Sequence, residues 1–103
     1  LGRTRKGFAA TALADALAGD ASWQVRQQAA RSLQDLSSAR VAAALVGALL
    51  DPEPSVRAAA GSALSETDVP SLQNALADAL ADEKDPSVRA VLRAAVRRAP
   101  RRP

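Results

Sequence analysis

Apolar residues recur along this chain at helical spacing, and the recurrence itself repeats. Val-Arg pairs stand at Val25-Arg26, Val56-Arg57 and Val88-Arg89, separated by 31 and 32 residues. After each valine, apolar or small residues follow four and eight positions on: Ala29 and Leu33, Ala60 and Leu64, Leu92 and Val96. That spacing marks one face of a helix. Before each pair lies a second helical signal, two leucines four residues apart: Leu13/Leu17, Leu45/Leu49 and Leu76/Leu80. Between the two signals lie turns rich in acids, glycine and proline: Gly19 to Ser22, Asp51 to Pro54 and Asp82 to Pro86. Ser22 and Asp85 are placed as helix N-caps. Pro54 and Pro86 fall in the first helical turn, where the missing N–H costs no hydrogen bond.

Each unit therefore reads helix A, turn, helix B, and a fixed period in the thirties predicts a stack of such pairs. The units run about 8–36, 38–65 and 69–98, joined by short linkers with Ser37-Ser38 as one break and Asp68 as a cap. The predicted fold is all-α: an α-α superhelix, or solenoid, of three stacked helix pairs in a single domain. Leu1 stands 12 residues before Leu13, the same step that separates Leu33 from Leu45 and Leu64 from Leu76. Residues 1–7 are accordingly expected to be the remnant of a preceding repeat. At the other end, the position five after each helix-B valine is Ala30, Gly61 and then Arg93. Small residues there let the next repeat pack close, and an arginine suggests a terminal cap, with Arg89, Arg93 and Arg97 as a solvated stripe. Residues 99–103 form a basic tail, expected to be disordered beyond about Ala99.

Composition narrows the core and the chemistry. Apolar residues make up 48% of the 103 residues but aromatics only 2%, so Ala, Leu and Val must build the core. The two aromatics are Phe8, which reads as core or staple, and Trp23. The chain has neither Cys nor His. Disulfides, Ser-His and Cys-His nucleophile pairs and most metal sites are thereby removed, and no catalytic residue, cofactor or metal ligand is expected. The acidic turns lack the alternating pattern of a calcium loop and read better as helix caps. The glycines form no phosphate-binding cluster. The longest apolar run, Val41 to Leu50, is ten residues, too short for a membrane span. With no leader visible, the expected compartment is the cytoplasm.

The net charge of +3 is unevenly spread. Residues 1–7 carry +3, residues 51–85 carry −6 and residues 86–103 carry +6. The C-terminal arginines are suited to modest, salt-sensitive contact with nucleic acid, which the acidic middle opposes.

The arrangement Leu-x3-Leu, turn aspartate, Val-Arg-x2-Ala-Ala-x-x-Leu resembles the short HEAT-like repeats of bacterial proteins, the phycobilisome-lyase type, over residues 8–98. The resemblance implies a right-handed superhelix and a ladder of turn aspartates and helix-B arginines. Here these are Asp20, Asp51 and Asp85 (or Asp82) with Arg26, Arg57 and Arg89. It further implies a binding platform for a protein or peptide, with the B helices on the concave side. Positions opposite the buried face are then Gln28, Arg31 and Asp35 in the first unit, and Ala59, Ser62 and Glu66 in the second. In the third they are Val91, Ala94 and Arg98. These residues either form a partner surface or are a solvated helical face. Trp23 either shields the first turn or anchors a partner. The function expected is a non-catalytic interaction module or scaffold within a longer array. The alternative is a nucleic-acid-associated module that uses the terminal arginines.

Overall fold

The computed structural model describes residues 2–34, 39–65 and 72–98, with side chains described for 10–34, 40–65 and 74–97. Six helices follow in order: α1 (Gly2–Gly19), α2 (Trp23–Leu33), α3 (Ala39–Ala48), α4 (Pro54–Leu64), α5 (Leu72–Asp82) and α6 (Pro86–Arg98). Among the described residues there is no strand. α1, α3 and α5 form one layer, the A layer, and α2, α4 and α6 form the B layer. The molecule spans 40 × 38 × 14 Å. A slab that thin is what two helix layers about 9 Å apart give once a Cα radius of about 2.3 Å is added on each side.

The core lies between the layers and is aliphatic. Leu33, Leu45, Leu64, Leu76, Leu92, Val41, Val56 and Val88 are its largest fully buried side chains. Alanines complete it, with Ala29, Ala30, Ala60 and Ala63 inaccessible or nearly so. Small side chains on facing helices permit close approach, and Gly61 is where this is critical. A Cβ at that position would sit 2.6 Å from Leu92 Cδ2. The small residue expected at the repeat junction thus makes room for one particular leucine of the next repeat.

One expected core position differs. Val25 is 43% exposed, whereas Val56 and Val88 are buried. Val56 and Val88 each have a preceding helix pair to pack on, and the described residues hold none before α1 and α2. Further along α2 the register holds, with Ala29 and Leu33 buried.

The helix starts use the expected residues in different ways. Asp85 caps α6 with its side chain, Oδ1 accepting the N–H groups of Ser87 (2.8 Å) and Val88 (3.2 Å). Ser22 holds the N-cap backbone conformation of α2 but makes no side-chain cap. Its hydroxyl donates instead to Gln24 Oε1 at 2.9 Å. Pro54 opens α4 and Pro86 opens α6, the place Trp23 takes in α2. α1 runs unbroken through residues 7 and 8, where a repeat boundary was expected. The Ser37-Ser38 break, the Asp68 cap, the tail from residue 99 and the side chains of Leu1, Phe8, Asp35, Glu66 and Arg98 lie outside the described residues.

Candidate functional site

The turns carry the most ordered polar geometry of the molecule. Arg26 grips Asp51 of the following repeat with two hydrogen bonds, Nε to Oδ2 at 2.7 Å and Nη2 to Oδ1 at 3.1 Å. Its Nη1 donates to the Asp20 carbonyl at 2.8 Å, tying the guanidinium to its own turn. Arg57 repeats the arrangement one step on. Nε and Nη2 donate to the two carboxylate oxygens of Glu83 at 2.8 and 3.0 Å, and Nη1 donates to the Asp51 carbonyl at 2.8 Å. Arg89 Nη1 donates to the Glu83 carbonyl at 2.9 Å and to that of Leu80 at 3.1 Å. Each turn acid also accepts the backbone N–H two residues on: Ser22 for Asp20, Glu53 for Asp51 and Asp85 for Glu83.

The ladder therefore exists, with one substitution in its expected membership. Glu83, not Asp85 or Asp82, is the acid of the third turn. The reason is positional. Asp20 to Arg26, Asp51 to Arg57 and Glu83 to Arg89 are all steps of six residues. Only an acid six before the arginine sits where the previous repeat's guanidinium arrives. Asp85, two residues later, caps the helix instead.

The two gripped acids, Asp51 and Glu83, have pKa values below their ordinary ones. Burial opposes the charge on Asp51, but the Arg26 hydrogen bonds, the Glu53 N–H and the charges of Arg26 and Arg57 outweigh it and lower its pKa. The hydrogen bonds from Arg57 lower the pKa of Glu83 against the opposing effect of burial, helped by the Asp85 N–H. The hydrogen bonds to their carboxylates in turn raise the pKa of Arg26 and of Arg57. The two gripped pairs, Arg26 with Asp51 and Arg57 with Glu83, match donors to acceptors and hold the register between repeats. Among the described residues, no side-chain nitrogen or oxygen is buried without a partner. Nor does any group of three or more carboxylates there come together to hold a metal ion.

The surface grooves are of a different kind. One crosses the three helices of the B layer, with a volume of about 530 Å³. Ala58, Ala59 and Val91 supply its apolar part, and Gln27, Arg31, Gln34, Ser55 and Ser62 its polar part. It gathers Arg31, Ser62 and Val91 from among the expected open-face positions, together with Ala59, which is buried rather than open. Gln28 and Ala94 are exposed outside it, and Trp23, 37% exposed at the first position of α2, does not line it. Gln27 and Ala58 enter in place of Gln28, so in the first two repeats the groove takes in the second position after the valine, while Ala59 and Val91 stand at the third. A helix advances 100° per residue, and positions two, six and nine lie more nearly opposite a face centred on four than do three and ten.

A second groove, of about 550 Å³, opens on the A layer between α3 and α5. α1 and α3 pack along much of their length, but α3 and α5 touch at few points. Val46, Leu49, Leu50, Ala75 and Ala79 line the gap, with Asp78, Asp82 and Lys84 at its edge. Leu50 is 83% exposed. The sequence carried a signal for it that the ten-residue apolar run concealed. The residue before each ladder acid is Gly19, Leu50 or Asp82, so leucine stands where the other repeats place a small or charged residue. Locally, α3 ends in three successive i→i−3 bonds, Leu49 to Val46, Leu50 to Gly47 and Asp51 to Ala48, each 3.1 Å. This tightened turn presents Leu50 outward.

No helix of the described residues is long and apolar enough to cross a membrane. No curated protein matches the chain. A family model described as HEAT repeats matches residues 10–97. HEAT repeats generally mediate protein–protein interaction or scaffolding and are typically non-catalytic. Stacked helix pairs, a bidentate arginine–carboxylate ladder from turn to turn and a match across six helices agree, and the chain belongs to the HEAT repeat family.

Proposed function

We propose that this chain is a non-catalytic protein-interaction module that receives a peptide or helical segment of a partner across the B layer. The observation that supports this reading is the groove spanning α2, α4 and α6. An apolar strip of Ala58, Ala59 and Val91 lies beside hydrogen-bonding side chains from Gln27, Arg31, Gln34, Ser55 and Ser62. Apolar contact with a few polar groups beside it is the composition of peptide-binding grooves. A nucleic-acid role finds less support. This groove carries one cation, Arg31, and the terminal arginines of that alternative, of which Arg93 and Arg97 are exposed on α6, lie outside it.

Peptides selected from a displayed random library against the intact chain test the reading. Their affinities for the wild type, Ala58→Glu and Val91→Asp are then compared by fluorescence anisotropy. The expected result is a loss of at least about tenfold in both variants, as burying an unpaired charge in a small apolar contact requires. Selected peptides that bind both variants as tightly as the wild type would place the partner surface elsewhere.

A further inference from the structure

We infer that the A-layer groove between α3 and α5 is a second docking site, and that its occupant is a basic amphipathic helix seated on Leu50. Three independent features converge there. First, Leu50 is exposed at a position that Gly19 and Asp82 fill in the other repeats, so the fold itself does not require an apolar side chain. An exposed leucine continuous with an apolar cleft is a contact looking for a partner. Second, the sparse contact between α3 and α5 leaves a channel bounded by two helices and lined by Val46, Leu49 and the small Ala75 and Ala79. A third helix laying its apolar stripe into such a channel reproduces ordinary helix-on-helix packing.

Third, the charge at the edge chooses the partner. Arg57 and Glu83 neutralise one another within the ladder, and Asp51 is paired with Arg26. What remains is Asp78 and Asp82 against Lys84. The groove also takes in the C-terminal ends of α3, at Val46, and of α5, at Asp82, where the helix dipoles add partial negative charge. A second copy of this chain would bring the same acidic edge against itself and is disfavoured. Lysines or arginines flanking an aliphatic stripe are complementary to it.

A labelled 14-residue helical peptide of leucine and lysine, with the leucines on one face, is the probe, beside a matched leucine–glutamate peptide. Binding to the whole chain is followed by anisotropy at near-physiological salt. The chain as a whole is positive, at +3, so long-range attraction does not favour the lysine peptide and its binding reports the local groove. The expected result is micromolar binding of the lysine peptide and at least tenfold weaker binding of the glutamate peptide. Leu50→Ser and the double substitution Asp78→Lys/Asp82→Lys should each weaken the lysine peptide about tenfold or more. All three substituted positions are exposed, and circular dichroism checks that the helices persist. Val91→Asp, in the B-layer groove, should leave this affinity unchanged. Absent binding, equal binding of the two peptides, or binding that survives Leu50→Ser and fails in Val91→Asp would overturn the inference, and the last outcome would move the peptide to the B layer.

Discussion

The two junctions between repeats are alike in one layer and unlike in the other. In the B layer both are closed, α2 against α4 and α4 against α6, and both carry an arginine gripped by the next turn's acid. In the A layer α1 and α3 pack along much of their length, whereas α3 and α5 touch at few points. Side chains differ accordingly. The first junction places Ala30 and Ala60 where the second places Gly61 and Leu92, and its ladder acid is Asp51 where the second uses Glu83. A repeat can therefore keep its register through the B helices and the ladder while its A helix separates from its neighbour. That separation provides a surface without disturbing the core.

The comparison can be broken most severely at Leu92. Leu92→Ala empties a fully buried site at the second junction and should cost about 3 kcal/mol in chemical denaturation. Next in size is the ladder. Arg57→Ala removes the bidentate contact to Glu83 and the bond to the Asp51 carbonyl, and should cost about 2 kcal/mol by the same measurement.

Acid should weaken both junctions. The pKa values of Asp51 and Glu83 lie below the ordinary 3.8 and 4.5, so the unfolded chain takes up these protons first. The ladder's contribution is complete at neutral pH, begins to fall as pH approaches those ordinary values and is lost below the depressed ones. Asp51→Asn should flatten the part of the pH–stability curve that belongs to the first junction, and Glu83→Gln the part that belongs to the second.

The smallest effect is expected at Gly61. Gly61→Ala gains helix propensity but forces a Cβ to 2.6 Å from Leu92, for a net cost of about 1 kcal/mol. In the Leu92→Ala background the clash is gone, and Gly61→Ala should become stabilising, a sign reversal that denaturation of the double variant detects.

Much of this was legible in the sequence because repeats announce themselves by period. The leucine pairs, the buried faces of α4 and α6 and the small residue at the junction follow from spacing, and the ladder arginines from the resemblance to HEAT-like repeats. What was misread has identifiable causes. The resemblance, which names turn aspartates, points to Asp85 or Asp82 for the third rung, whereas the constant step of six to the arginine selects Glu83. Val25 matches Val56 and Val88 in sequence, but burial also depends on what packs before it. Of the positions expected on the B-layer face, Arg31, Ala59, Ser62 and Val91 line the groove there, and Gln28 and Ala94 do not. The A-layer groove was not legible, because the distance between α3 and α5 is set by tertiary packing and leaves no local pattern. Leu50 lay hidden in a run that reads as core until the three repeats are set side by side.

The opening of the A layer at the second junction is measured most directly by pulsed electron–electron resonance between spin labels at Asp15, Gly47 and Asp78. Each lies two residues after the first leucine of its pair, and each is exposed. With cysteines placed in pairs in this cysteine-free chain, the Gly47–Asp78 separation should exceed the Asp15–Gly47 separation, while Arg57→Ala broadens the former. Equal separations at the two junctions would contradict the account and would close the groove on which the second docking site depends.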